Sequence, residues 1–161
     1  MAYELYEQFE LDINWYFRDR FNHLCVATSA GGVLPEYINV NIENNDEFHQ
    51  IIDELPEKFK IKRNERIVNR IQGLDNEEEV SEYFKEFEKL ARKGLYVFDK
   101  FDIDNPDDPN YFLIVYPIYN RIKDTYPIDK KLLSMIPRTS GSINKRFVNP
   151  FNLKQYFLRL L

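Results

Sequence analysis

Residues 76–93, NEEEVSEYFKEFEKLARK, meet every local requirement of an amphipathic helix. Val80, Tyr83, Phe84, Phe87, Leu90 and Ala91 recur at the spacing of three and four that lines one helical face. Asp75 or Asn76 can cap the first turn, and Glu77, Glu78 and Glu79 suit the positive end of the helix dipole. Arg92 and Lys93 suit the negative end, and Gly94 supplies a left-handed residue just past it. A helix with so wide an apolar stripe needs a second layer to cover it. Two such runs follow. LYVFDKF (95–101) and YFLIVYPI (111–118) are apolar, β-branched or aromatic, and predict strands. The Asp- and Pro-rich segment between them predicts the loop of an antiparallel hairpin, and Pro117 confines the end of the second strand to an edge or exit.

A second hairpin is predicted near the start. FELDINWYFR (9–18) alternates strictly, with Phe9, Leu11, Ile13, Trp15 and Phe17 on one face and Glu10, Asp12, Asn14, Tyr16 and Arg18 on the other. DRFN (19–22) reads as a turn, HLCVAT (23–28) as the returning strand, and SAGG (29–32) as its end. Residues 45–55 predict a helix capped by Asn44 or Asn45, striped by Phe48, Ile51, Ile52 and Leu55, and stopped by Pro56. KFKIK (58–62) predicts a short edge strand. DKKLLSMI (129–136) predicts a short helix between Asp129 and Pro137, RTSGS (138–142) a loop, and 150–161 a C-terminal helix. Helices and hairpins mix without regular βαβ units. The expected fold is therefore one α+β domain over 1–161, with a mainly antiparallel sheet and helices packed on one face.

Composition excludes several classes. One cysteine, Cys25, rules out an intrachain disulfide framework and a cysteine-rich zinc ribbon. With 13 Phe, 11 Tyr and 1 Trp the chain can fill a core and does not read as disordered. Five glycines leave little room for Gly-rich phosphate loops, and neither G-x-G-x-x-G nor G-x-x-x-x-G-K-[ST] occurs. No apolar run approaches a membrane span, and the acidic start lacks the apolar core of a signal peptide, so a cytoplasmic protein with no membrane partner is expected. Charge is uneven. Residues 1–60 carry 12 acids and 4 bases, 61–101 carry 9 of each, and 102–161 carry 6 acids and 9 bases. The acidic first third would repel phosphates and attract a basic protein.

No catalytic set emerges. Asp102, Asp104, Asp107 and Asp108 could ligate a hard cation, but Asp107 stands where an EF-hand needs Gly, and Leu113 where it needs Glu. A small metal-dependent enzyme using that loop is the alternative reading; the main one expects no cofactor and no metal. Cys25 and His23 share a strand face about 7 Å apart by the strand rise, too far for a nucleophilic pair. His49 is a lone helical histidine, and two histidines with one cysteine make no convincing zinc site. Glu78, Glu82 and Glu86 lie opposite the apolar stripe and read as solvated. RTSGSINKR (138–146), with Arg138, Lys145 and Arg146, could hold a phosphate, although a solvated basic loop explains it too. Lys60, Lys62, Arg63, Arg66 and Arg70 form the densest basic stretch, yet a pI near 5.2 argues against a nucleic-acid partner.

At INWYF (13–17), SAGGVLP (29–35) and ARKGLYVFD (91–99) the chain resembles bacterial immunity proteins encoded beside polymorphic toxins. LPEYI (34–38) is similar to the Leu-Pro…Tyr segment of a second immunity superfamily, although here it follows a hairpin instead of a helix. The motifs are structural, so the resemblance transfers no functional residues. It implies a non-enzymatic protein that neutralises a cognate toxin by occlusion. The acidic first third then nominates Glu36, Glu43, Asp46, Glu47, Asp53 and Glu54 as contacts to a basic partner, with Tyr37 as an aromatic anchor. A structural or adaptor subunit is a further expectation.

Overall fold

The computed structural model describes residues 1–68, 71, 73–119, 129–138 and 151–152. The elements are α1 (Leu5–Glu10), β1 (Asn14–Arg18), β2 (Leu24–Thr28), α2 (Glu36–Val40), α3 (Ile42–Asp53), β3 (Lys60–Arg63), α4 (Glu65–Val68), α5 (Glu77–Arg92), β4 (Tyr96–Lys100), β5 (Asn110–Ile118), α6 (Lys130–Leu133) and β6 (Phe151–Asn152). One sheet runs in the order β1-β2-β4-β5-β3, with β6 also on β5. Tyr111 pairs with both β4 and β6, and Val115 with both β4 and β3. So β6 and β3 lie end to end along the outer edge of β5. Among the strand pairs of the described residues, the central β2–β4 pair alone is parallel. The chain is thus α+β with a mostly antiparallel sheet, as the pattern predicted.

The two long helices share a face. Phe48 and Ile52 of α3 join Phe84, Leu90 and Ala91 of α5 against Tyr16, Val26, Val97 and Ile114. The opposite face is also buried, where Trp15, Phe17, Ala27, Phe98 and Leu113 meet Leu34, Ile38 and Ile42. This corrects the reading of β1 as half-exposed: Tyr16, expected among the outward residues, has no exposed surface. A strand between two layers loses its polar face.

Helix α5 ends as its sequence dictates. The Asn76 side chain accepts the Glu79 N–H at 2.9 Å. At the other end the Gly94 N–H reaches Ala91 O at 2.9 Å and the Leu95 N–H reaches Leu90 O at 3.3 Å, which is a Schellman closure. Gly94 has φ +102°, a region that costs a side-chain-bearing residue. Gly94→Ala is therefore expected to destabilise by about 1 kcal/mol, read as a Tm lower by about 2–4 °C. Lys93 does something its position in α5 does not announce. Its buried ammonium donates to Ile52 O at 3.1 Å and Asp53 O at 3.0 Å, closing the end of α3 in place of its own helix.

Several expected boundaries move. The alternation at 9–18 yields a strand only over Asn14–Arg18. Upstream, the Glu4 N–H is held by the Glu7 carboxylate at 2.7 Å, and a helical turn wins over period two. Phe9 and Leu11 are exposed as a result. Helix α3 begins at Ile42, with Asn41 at its N-cap, earlier than the Asn44 or Asn45 cap expected. At the C-terminus, Phe151–Asn152 pair as a strand where a helix was expected. Residues 139–142 and 153–161, and with them most of the predicted loop and C-terminal helix, lie outside the described residues. The predicted turn, the hairpin strands and the Asp129-capped helix form as expected, the last with Lys131 N bonded to Asp129 Oδ1 at 3.0 Å.

The sheet edges are closed in two ways. On β1 the Asn45 side chain accepts the Tyr16 N–H at 3.0 Å and donates to Asn14 O at 3.0 Å, while the Arg18 N–H bonds Pro137 O at 2.9 Å. At β3, exposed Lys60 and Lys62 mark the edge, a charge placement that discourages strand addition.

Candidate functional site

All seven nominated contact residues are exposed. Glu36 and Tyr37 open α2, and Glu43, Asp46, Glu47 and Asp53 lie along α3, with Glu54 at its C-cap. Positions 43, 46, 47, 50, 53 and 54 fall on one helical face, because Ile42, Asn45, Phe48 and Ile52 turn the other inward. Two of the acids have partners. Glu43 receives the Met1 ammonium, and Asp53 sits 3.5 Å from His49 Nε2. The other ring nitrogen, His49 Nδ1, meets the Tyr16 hydroxyl. Burial first, and the Asp53 charge second, push that hydroxyl far above the ordinary tyrosine range, so it stays protonated.

The sequence reading missed α1. This helix is inverted: its buried residue is Gln8, while Leu5 is 54%, Tyr6 65% and Phe9 43% exposed. The inversion has a polar cause. Gln8 Oε1 accepts the buried Leu34 N–H at 2.8 Å, and its Nε2 donates to Tyr3 O at 3.1 Å. A backbone donor that needs a partner outranks an apolar contact, so the glutamine goes in. The segment is also tied to α2, since Asn39 accepts the Tyr3 N–H and donates to Tyr3 O. The segment that exposes Leu5, Tyr6 and Phe9 is thus fastened to the helix that exposes Tyr37 and Val40, 38% and 62% exposed, and Glu4, Glu7, Glu10, Glu36 and Glu43 on the same two segments and the start of α3 are exposed as well. The signal was present in LYEQFE, where Leu5 and Phe9 stand four apart, but it does not say which face points inward.

The aspartate loop is occupied with itself. Asp102 Oδ1 accepts the Asp104 N–H, Asp108 Oδ2 accepts the Asp102 N–H, and Asp108 Oδ1 takes Asn110. Among the described residues no three His, Cys, Asp or Glu side chains are placed to hold a metal ion. A small cleft between this loop and Leu34, Pro35 and Tyr111 includes Asp107 and Asp108 in its wall. Behind it the buried Lys100 ammonium donates to Pro106 O at 2.8 Å, and the Val33 N–H donates to the same carbonyl at 2.9 Å. Burial lowers the Lys100 pKa, and the charges of Asp108, Asp102 and Asp107 oppose that. Gly32 allows this approach. A Cβ there would lie 2.1 Å from Lys100 Nζ and 2.9 Å from Ser29 O. The Ser29–Gly32 turn therefore joins three segments, because Ser29 Oγ also accepts the Ile13 N–H at 2.8 Å.

The remaining nucleophile and acid–base candidates are structural. Cys25 is fully buried, and burial followed by the Asp19 charge raises its pKa well above the usual thiol value. Its neighbour His23 directs Nδ1 to Asp19 Oδ2 at 2.8 Å, not to the sulfur. Asp99 lies under α5, where the Tyr83 hydroxyl donates to Oδ2 and the Lys100 N–H to Oδ1 at 2.8 Å. Burial pushes its pKa up to about 6 in spite of both bonds. In the basic stretch, Arg63 is committed to Glu88 at 2.6 Å and to the Phe84 ring, and Arg70 lies outside the described residues. Glu78, Glu82 and Glu86 are exposed. Among the described residues no helix is long and apolar enough to cross a membrane. No family model matches the chain, and comparison with curated proteins and with solved structures finds no match.

Proposed function

We propose that this protein acts by binding another protein through the surface formed by α1, α2 and the outward face of α3. The observation that carries this reading is the inverted α1: Leu5, Tyr6 and Phe9 stand in water on a segment fastened to α2, which itself exposes Tyr37 and Val40, and the exposed charged residues of these segments and of α3 are mostly acidic. Large apolar side chains gathered in an acidic rim fit a partner with an apolar patch and a basic border. Burying each such side chain is worth up to about 1.5–3 kcal/mol, enough to anchor a complex once the entropic cost of association is met. Together with the immunity-like motifs, this supports a basic toxin domain as the partner, its working surface covered in the complex. The acids speed encounter and the aromatic residues hold the complex.

The experiment uses the purified chain and the C-terminal domain of a toxin-like product encoded beside it. Surface plasmon resonance at two salt concentrations is expected to show binding whose on-rate falls with salt. The triple change Glu36→Lys, Glu43→Lys, Glu47→Lys should slow association about tenfold at low salt, and Phe9→Ser should speed dissociation. Absence of binding, or unchanged kinetics in both variants, overturns this reading.

A further inference from the structure

We propose that Arg18, Arg20 and Arg138, at the tip of the β1–β2 hairpin, form a binding site for the phosphate group of a small ligand. This goes beyond the protein-binding surface and does not depend on it. Arg18 ends β1 and Arg138 lies beside it, paired as a parallel bridge. The two are fastened there. The Arg18 N–H bonds Pro137 O at 2.9 Å, Arg18 Nη1 bonds Asn22 Oδ1 at 2.7 Å, and Arg138 Nη2 bonds Arg20 O. Arg20 adds a third guanidinium at the rim, 4.7 Å above the exposed ring of Phe21.

Two features mark this cluster as incomplete. First, none of the three arginines makes an ion pair among the described residues, although the protein carries a net charge of −5. The carboxylate next in sequence, Asp19, is fully buried and already accepts the Phe21 and His23 N–H groups and His23 Nδ1. Second, Arg18 Nε is buried and, among the described residues, has no hydrogen-bond partner. A buried donor on a charged group is costly to leave unmet, so it calls for an acceptor that the described residues do not supply, and a bound anion's oxygen is one. Burial, and after it the nearby Arg138 charge, lower the Arg18 pKa, with Tyr37 opposing. Like charges held together by backbone pairing favour a dianion over a monoanion, because only the dianion neutralises both. Phosphate also offers the oxygen geometry that guanidinium forks bind in pairs.

The test is an NMR titration of the full chain with inorganic phosphate at constant ionic strength, following the Arg18 Nε–H resonance. Saturable movement of that resonance is expected, with no such movement under acetate or chloride. Arg18→Gln and Arg138→Gln should each weaken binding about tenfold or more, as loss of a charge-assisted bond implies. Lys62→Gln, on the far edge of the sheet, should not. If Arg18→Gln does not fold, Arg20→Gln and Arg138→Gln, both at exposed positions, carry the comparison. Adenosine monophosphate as a second titrant separates the sources. Tighter binding than phosphate identifies an organic phosphate, with Phe21 under its ring; equal binding identifies the free ion. A response shared with acetate or chloride, or saturation unchanged in the arginine variants, overturns the site.

Discussion

Asn45→Ala is expected to destabilise the protein by about 3 kcal/mol, from two backbone groups each left unmet at about 1–3 kcal/mol. Asn45 is 4% exposed and spends its whole amide on β1, accepting from Tyr16 N and donating to Asn14 O at 3.0 Å each. β1 is the end strand of the sheet, and among the described residues no other strand lies along its outer side. Alanine cannot satisfy either backbone group. Urea unfolding measures the loss. Hydrogen exchange at the Tyr16 amide gives an independent reading and should quicken about a hundredfold for that free energy. The variant should also aggregate more readily, since an uncovered edge is a template for strand addition. A change below about 0.5 kcal/mol, the range of ordinary surface substitutions, would show that the clamp is not holding the edge.

The pH dependence of stability should carry the signature of Asp99. Its folded pKa is about 6, raised from 3.8 chiefly by burial. The folded state therefore holds this proton more tightly than the unfolded chain. Its contribution is complete below the unfolded value and is lost as pH climbs toward the folded one. Across that window the difference amounts to about 3 kcal/mol, the pKa shift expressed as free energy. Asp99→Asn keeps the shape and removes the charge. It should be more stable than the parent at pH 7, with the advantage shrinking as pH falls to 4. Paired urea titrations at pH 4, 5, 6 and 7 isolate this residue, since the other acids titrate alike in both proteins. A parallel pair of curves would mean that Asp99 is solvated when the protein folds. Tyr83→Phe provides a second check. It removes the hydroxyl that donates to Asp99 and should move the window to higher pH.

How far each feature was legible depends on the range of the forces behind it. The candidate surface was partly readable. The acids of α3 are outside because the apolar stripe must be inside, and that stripe is written in the spacing of Phe48 and Ile52. The exposure of Leu5, Tyr6 and Phe9 was not readable, because it follows from a bond between Gln8 and the Leu34 N–H across 26 residues. The arginine cluster was half-visible. Arg138 belonged to a segment already marked as basic, but nothing in the sequence placed it beside Arg18, 120 positions earlier.

What the sequence determined by itself were the elements whose causes lie within a turn or two of chain. Helix α5 with its Asn76 cap and Gly94 closure, the two hairpins, the Asp129-capped α6 and the α+β class all follow from local spacing and capping. Tertiary structure decided the rest. It set the parallel join of β2 to β4, turned β1 into a strand buried on both faces, lent Asn45 to an edge and Lys93 to another helix, and inverted α1. In each case a buried polar group or an open layer was completed by a residue far away in the chain. Periodicity records which side chains share a face, but not what that face will meet.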